Sequence, residues 1–243
     1  MCIDCGCSAG SSHHHHHHHD DDVKRTIRVE EDLLAKNNRL AGANRQQLQQ
    51  HDVLALNMVS SPGSGKTTML ECTLRALQQR YRFAVLEGDQ QTDNDAQRIA
   101  ATGVDVHQIN TGAGCHLDAH MVGHGMEKFN LSSLDLLFIE NVGNLVCPAA
   151  FDLGEDHKVA LLSVTEGEDK PLKYPHMFRA ADVMVLNKMD LLPYVNFDVE
   201  RCKEYALRVN PDLVILEASC TAPDGLDCWY QWLEGRLQLR PQG

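Results

Sequence analysis

The sequence predicts an α/β fold with a doubly wound, mainly parallel sheet flanked by helices. Three observations support this class: short apolar runs recur after residue 52, amphipathic helical stretches separate them, and a glycine-rich turn follows the first run. The predicted strands are Val53–Val59, Ala84–Glu87, Val104–Ile109, Leu134–Glu140, Val159–Val164, Val183–Leu186 and Leu213–Leu216. Near-continuous apolar strands are typical of parallel sheets covered on both faces. Ligands of such folds bind at the carboxyl ends of strands, so we expect the functional residues in the loops after these runs.

The composition is that of a globular protein and argues against two classes of partner. The 243 residues include 22 Lys and Arg against 34 Asp and Glu, and the net charge of −12 disfavours nucleic acid. No apolar run approaches the roughly 20 residues that cross a bilayer, so no membrane span is expected. The polar start of the chain and its nine cysteines, an odd number, favour a reducing, cytoplasmic location.

The turn after the first run, Ser60–Thr68, predicts a phosphate-binding loop and thus a P-loop NTPase. Its glycines let backbone N–H groups approach the phosphates, Lys66 can reach the β and γ phosphates, and Thr67 can ligate Mg²⁺. Ser60 departs from the general pattern, which has glycine at that position. The nucleotide contacts assigned to this loop are Gly63, Ser64, Gly65, Lys66, Thr67 and Thr68.

A second motif, Asn187-Lys188-Met189-Asp190, follows the sixth run and predicts that the base is guanine. The Asp190 carboxylate can accept hydrogen bonds from guanine N1–H and the exocyclic amine, two donors that adenine cannot present. Asn187 would hold the loop, and the Lys188 stem would cover one face of the base. Ser219 and Cys220 follow the last run as a second base loop, where Ser-Ala is usual. The expected ligands are therefore GTP and GDP.

Carboxylates near the γ-phosphate are needed to hold Mg²⁺ and to orient water. Candidates are Asp89, Asp93 and Glu140. Glu140-Asn141-Val142-Gly143 reads as a variant of the DxxG switch, in which the Gly143 N–H can turn toward the γ-phosphate. The catalytic residues assigned are Lys66, Thr67, Asp89, Glu140 and Gly143, with Thr67 and Asp89 as magnesium ligands. No single residue stands out as the group that positions water.

The chain is predicted to have three parts. Residues 1–22 form a flexible Cys/His-rich metal-binding tail, because they hold three cysteines and seven consecutive histidines, His13–His19, and too little apolar surface to fold alone. Residues 23–51 form an amphipathic helix, and residues 52–243 form a P-loop GTPase domain. The histidine run is compatible both with a purification tag and with a natural metal-buffering tract, and both interpretations stay open.

One metal site is predicted at Cys115, His116 and Cys147, which lie in two loops after predicted strands. Cys115 is expected to open a helix, whose dipole would stabilise its thiolate. Two sulfur donors and one nitrogen donor suit Zn²⁺ or Ni²⁺. Three protein ligands leave a four-coordinate site incomplete, so water or the same loops of a second subunit would complete it.

Another metal site is predicted at Cys2, Cys5 and Cys7. With the α-amine of the chain start, three thiolates offer four donors at short spacing. Such a set can form the square-planar field that Ni²⁺ favours, and Zn²⁺ would accept tetrahedral, sulfur-rich ligation.

Taken together, these motifs resemble HypB, the family of hydrogenase nickel-incorporation GTPases. The resemblance is carried by Cys2–Cys7, Val59–Thr68, Glu87–Thr92, Thr111–Asp118, Glu140–Pro148 and Asn187–Asp190. It implies a GTP-hydrolysing metallochaperone that assists nickel insertion into the large-subunit precursor of nickel–iron hydrogenase. It also implies a GTP-promoted homodimer, a small HypA-type nickel/zinc accessory partner, and metal binding at both cysteine sites. Because Cys147 follows Gly143 closely on one loop, hydrolysis is expected to alter the metal geometry.

Three alternatives remain at this stage. The related GTPase that serves urease shares the fold and the guanine motif, although the N-terminal cysteines and the Cys115–His116 pair favour hydrogenase. A nickel-storage protein with a regulatory nucleotide site would bind several metals per chain without turnover. A small-molecule P-loop kinase is disfavoured by Asn187–Asp190 and by the lack of an evident acceptor pocket.

Overall fold

The computed structural model describes residues 18–89, 93–112 and 114–240, with side-chain surroundings from residue 31 onward. The predicted metal site at Cys2, Cys5 and Cys7 lies outside the described residues. The chain divides into two units, Met1–Ala35 and Lys36–Gly243. The described part of the first unit is helical, and the second unit contains the sheet.

Every predicted run overlaps a strand. The strands are β1 (Leu54–Ser60), β2 (Phe83–Asp89), β3 (Asp105–Asn110), β4 (Leu136–Glu140), β5 (His157–Ser163), β6 (Val183–Asn187) and β7 (Val214–Glu217). The helices are α1 (His18–Gln50), α2 (Lys66–Leu77), α3 (Asn94–Ala100), α4 (Ala119–Met126), α5 (Lys170–Lys173), α6 (Pro175–Ala180), α7 (Val199–Val209) and α8 (Asp227–Gln238). Short 3-10 helices cover Leu131–Ser133, Cys147–Ala149 and Met189–Tyr194.

The seven strands form one sheet in the order β3-β2-β4-β1-β5-β6-β7, and every described pair of neighbours is parallel. The predicted doubly wound α/β class is confirmed. Strand β1 lies between β4 and β5. Strands β2 to β4 lie on one side of β1, and strands β5 to β7 extend to the opposite edge of the sheet. Ligands of open parallel sheets bind at such a switch point, beyond the carboxyl ends of the strands. The loop after β1 is therefore placed where this rule predicts a ligand.

Apolar side chains cover both faces of the sheet, which explains why the strands are apolar along their whole length. On one face, α2 packs on β1 and α8 packs on β7, and residues such as Leu70 and Trp229 belong to one apolar cluster. Trp229 is fully buried, and its indole N–H donates to Thr73 Oγ1 at 2.9 Å, so its polar atom is satisfied. Two further clusters cover the opposite face, one around Phe178 and one around Met126.

Helix α1 begins at His18, inside the predicted tail and before the predicted helix start at residue 23. In the second unit, Ala41 and Leu48 of this helix are buried, and Asn37 and Asn44 are also buried although they are polar. Among the described residues, no helix combines the length and the apolar character that a membrane span requires.

Candidate nucleotide and metal sites

The loop between β1 and α2 surrounds a cleft of about 550 Å³. Gly63 and Gly65 have φ angles of +75° and +97°, a region that L-residues with side chains rarely adopt. A Cβ atom on Gly65 would lie 2.6 Å from Asn187 Nδ2, so only glycine fits this position. Helix α2 begins directly after the loop at Lys66, and its first backbone N–H groups are available for an anion.

The guanine motif contacts the phosphate loop directly. The buried Asn187 side chain donates from Nδ2 to the Ser64 carbonyl oxygen at 2.9 Å. Lys188 has a φ angle of +62° and donates from Nζ to the Gly63 carbonyl oxygen at 2.6 Å. The two loops that the sequence assigns to base and phosphates are therefore joined by two hydrogen bonds.

Asp190 and Ser219 meet at a second cavity of about 450 Å³. Ser219 donates from Oγ to Asp190 Oδ1 at 2.5 Å, and this bond lowers the pKa of Asp190. The carboxyl group is thus held as a carboxylate, the form that accepts hydrogen bonds from guanine. Cys220 lies beside this pair, with its Sγ 3.8 Å from Asn187 Oδ1, and burial raises the pKa of its thiol to about 11.

Glu140 lies beneath the phosphate loop and contacts two of its residues. Lys66 Nζ is 2.6 Å from Glu140 Oε1, and Thr67 Oγ1 donates to the same oxygen at 2.7 Å. Glu140 is completely buried, and its second oxygen, Oε2, has no hydrogen-bond partner. A buried, unpaired carboxylate oxygen beside a threonine hydroxyl fits the oxygen ligands that Mg²⁺ prefers.

Glu87 is a site residue that the sequence interpretation missed. It faces Glu140 in the register of β2 and β4, and its Oε2 atom is buried without a partner. Burial, followed by the charge of Glu140, raises the pKa of Glu87 to about 8. The available signal was a glutamate at the end of an otherwise apolar predicted strand.

The other two predicted acids occupy different surroundings. Asp89 ends β2, and its backbone carbonyl accepts from the Thr111 N–H at 3.0 Å. Asp93 precedes α3 and accepts from Gln97 Nε2 at 2.6 Å. In the described part of the chain, neither acid lines the phosphate cleft, so their roles as magnesium or water ligands stay predictions.

Arg98 lines the phosphate cleft and was also missed. Its guanidinium donates to Thr68 Oγ1 at 3.0 Å and pairs with Glu71 at 2.5 Å and Asp95 at 3.1 Å. An arginine on an amphipathic helix is usually a solvated residue, so the sequence offered no signal for this placement.

The predicted switch segment touches the phosphate loop at Gly143. A Cβ atom added there would lie 3.2 Å from Pro62 Cα, so the two backbones are in close contact. The structure thus brings Lys66, Thr67, Glu140 and Gly143 to one end of the sheet.

Cys115, His116 and Cys147 form a compact cluster. One potential ligand atom from each residue lies within 4.8 Å of the others, and no other such group of three occurs among the described side chains. The His116 ring contacts the Phe151 ring, with centroids 4.0 Å apart. Burial lowers the pKa of His116, which favours the neutral imidazole that binds metals.

The predicted helix start at Cys115 is wrong. Helix α4 begins at Ala119, because the Asp118 side chain accepts from the Met121 N–H at 2.8 Å and caps the helix there. Cys115 lies in the preceding loop and has no helix dipole to stabilise its thiolate. Its hydrogen bond with Cys147 and its burial instead raise the pKa of the Cys115 thiol.

Two asparagines, Asn141 in the switch segment and Asn144 directly after it, contact the loop that holds Cys115. Asn141 Oδ1 accepts from the Leu117 N–H at 3.0 Å. Asn144 Nδ2 donates to the Cys115 carbonyl oxygen at 3.4 Å. The segment that touches the phosphate loop therefore also contacts the backbone of the metal-ligand loop.

Known proteins resemble this chain over most of its length. A family model described as the CobW/HypB/UreG nucleotide-binding domain matches residues 54–217. The hydrogenase maturation factor HypB of Azotobacter vinelandii is 59% identical over 216 residues, which cover 89% of this chain and 71% of that protein. A crystal structure of HypB from Helicobacter pylori in complex with nickel has a TM-score of 0.80 and 39% identity, over 86% of this chain and 99% of that one. A crystal structure of the factor from Archaeoglobus fulgidus has a TM-score of 0.78 and 42% identity, over 84% and 99%. The chain therefore belongs to the HypB family of hydrogenase maturation factors.

Proposed function

We propose that this chain is a GTPase that handles nickel during hydrogenase maturation. The observation that carries the proposal is the pair of hydrogen bonds from Asn187 and Lys188 to the phosphate loop. They support one nucleotide spanning both loops, with guanine at Asp190 and the phosphates at Gly63–Thr68. Membership of a family of hydrogenase maturation factors supports the biological role.

The hydrolytic residues are proposed from the contacts of Glu140. Lys66 and Thr67, which both contact Glu140 here, would turn to the phosphates. Thr67 and Glu140 would hold Mg²⁺, with Asp89 as a further candidate ligand, and the ion when bound would neutralise charge on the phosphates. The Gly143 N–H would donate to the terminal phosphate. In this proposal the loop backbone and Lys66 stabilise the charge of the leaving diphosphate.

The guanine assignment is tested by Asp190→Asn. The asparagine amide donates where the carboxylate accepts, and xanthine has a carbonyl where guanine has its amine, so we expect the ratio of kcat/KM for GTP to that for XTP to invert. Steady-state hydrolysis of both nucleotides measures this ratio. Asp212→Asn, an exposed aspartate before the amino end of β7, is the matched control and should keep the GTP preference. A retained GTP preference in Asp190→Asn would overturn the base site.

The metal role is proposed for Cys115, His116 and Cys147. Two sulfur donors and one imidazole within 4.8 Å fit Ni²⁺ as cargo or Zn²⁺. The related factor from Helicobacter pylori was solved in complex with nickel, which supports this assignment. Nickel would then pass toward the hydrogenase large-subunit precursor with a HypA-type accessory protein. The cysteines at positions 2, 5 and 7 are proposed as a second nickel site.

A GTP-promoted homodimer completes the proposal. Three ligands per chain leave a tetrahedral site one donor short, and Val146, next to Cys147, is 62% exposed. An exposed apolar side chain beside an incomplete metal site supports contact with a second copy. Light scattering should give twice the monomer mass with a non-hydrolysable GTP analogue and the monomer mass with GDP. The monomer mass in both states would contradict this part.

A further inference from the structure

Two buried asparagines of helix α1, Asn37 and Asn44, connect the start of α4, which follows the loop with Cys115 and His116, to the segment that follows Cys147. We call this pair the asparagine bridge. We propose that the asparagine bridge holds Cys115 and His116 at the correct separation from Cys147, so that Asn37 and Asn44 are positioning residues of the metal site. The inference rests on the proposed metal role and adds residues that lie outside the ligand motifs.

Asn37 contacts the start of α4 and the segment after Cys147 with one side chain. Its Oδ1 accepts from the Ala119 N–H at 2.9 Å, shortly after the loop that holds Cys115 and His116. Its Nδ2 donates to the Asp152 carbonyl oxygen at 2.8 Å, shortly after Cys147. Asp152 follows Phe151, whose ring contacts His116. A single amide therefore joins the start of α4, just after His116, to the segment that follows Cys147.

Asn44 repeats this arrangement two helical turns later, on the same face of α1. Its Nδ2 donates to the Ala119 carbonyl oxygen at 2.7 Å and to the Leu153 carbonyl oxygen at 2.9 Å. Both amide protons are thus used, one at the start of α4 and one in the segment after Cys147. Asn37 and Asn44 are each only 5% exposed, so water cannot readily replace these bonds if they are lost.

The helix and the second loop also meet backbone to backbone. A Cβ atom on Gly154 would lie 2.7 Å from the Ala41 carbonyl oxygen and 2.7 Å from Asn44 Cβ. This close approach leaves the loop little freedom to move relative to α1. Metal ligands need their positions fixed to a fraction of an ångström, and side chains that hold ligands in place commonly change metal affinity by about 10- to 100-fold.

The test measures Co²⁺ affinity of the cysteine–histidine cluster in the full chain. Cys2, Cys5 and Cys7 are replaced by serine throughout, so that the thiolate-to-cobalt charge-transfer band reports on Cys115 and Cys147. A chelator buffer fixes the concentration of free Co²⁺. Any Co²⁺ that the histidine run binds therefore does not change the free concentration against which the Kd is determined. We expect Asn44→Ala and Asn37→Ser each to raise the Kd for Co²⁺ by about tenfold or more. GDP affinity, measured without metal, should not change, because neither asparagine contacts the nucleotide cleft.

The matched control is Asn38→Ala, an exposed asparagine next to Asn37 on the same helix, which should leave the Kd for Co²⁺ unchanged. Unchanged cobalt affinity in Asn37→Ser would overturn the proposal, and this smaller change decides the matter if Asn44→Ala does not fold. A parallel loss of GDP affinity and cobalt affinity would also overturn it, because that result indicates general destabilisation. A parent protein without a thiolate–cobalt band would instead refute the metal site of the proposed function, and the bridge with it.

Discussion

Glu87 makes the stability of the ligand-free protein depend on pH. Its pKa is raised to about 8, because ionising this buried side chain costs more in the folded protein than in the unfolded chain. The contribution of Glu87 to stability is therefore complete below the ordinary glutamate pKa, where the side chain is protonated in both states. That contribution is lost as the pH rises from about 4.5 to about 8. Glu87→Gln cannot ionise, and we expect it to become more stable than the parent across this window, by up to a few kcal/mol at alkaline pH. Urea unfolding at acidic and alkaline pH, without Mg²⁺ or nucleotide, measures this difference.

The control for this prediction is Glu204→Gln, which removes an exposed carboxylate and should give a nearly constant difference in stability. A pH-independent difference for Glu87→Gln would contradict the prediction.

The sequence patterns led to Lys66, Thr67 and Glu140 because each lies in a motif of fixed spacing. Glu87 opens the Glu87–Thr92 stretch, in which only Asp89 was assigned a role from the sequence, and Arg98 lies in no motif. Their roles depend on strand register and on a contact between α3 and α2, which the local sequence does not reveal.

At the scale of elements, the packing of α1 on the loop after Cys147 predicts opposite effects for two glycines. Gly154 has a φ angle of +95° and faces the α1 backbone, so Gly154→Ala should destabilise the fold by at least about 1–2 kcal/mol. Gly42 lies on α1 itself with open space around it, so Gly42→Ala should stabilise the fold by about 0.5–1 kcal/mol. Urea unfolding of both variants measures the pair. Equal effects of the two changes would contradict the packing described here.

Element boundaries show where local sequence information ends. The strands were predictable because parallel, buried strands are apolar throughout, and each predicted run overlaps an observed strand. The start of α4 was misplaced because Cys115 follows a glycine turn that resembles a helix start, whereas Asp118 supplies the cap. The asparagine bridge was not predictable, since its bonds join residues 75 to 115 positions apart.

At the scale of the whole molecule, nucleotide and metal are expected to affect each other's binding. Gly143 contacts Pro62 of the phosphate loop, and Asn144 on the same segment contacts the Cys115 carbonyl. We expect a GTP analogue to change cobalt affinity relative to GDP, and metal to change the nucleotide preference by the same factor, on the order of 5-fold or more. Calorimetric titrations around the four-state cycle measure both factors.

Asn144→Ala should reduce this factor, because it removes one hydrogen bond between the switch segment and the metal-ligand loop. Asn130→Ala, an exposed asparagine before the 3-10 helix Leu131–Ser133, is the control and should leave the factor unchanged. Equal metal affinity with GDP and with the analogue would exclude the coupling.

If the chain hydrolyses GTP as proposed, the ion pair between Lys66 and Glu140 affects both the binding of nucleotide and the release of product. Lys66 does not present an unpaired charge to the phosphate cleft, since the buried Glu140 carboxylate lies 2.6 Å from its ammonium group. In the proposed cycle, incoming nucleotide would compete with Glu140 for the ammonium group of Lys66, and Glu140 would compete in the same way with the inorganic phosphate that hydrolysis produces. We expect this competition to speed the release of phosphate.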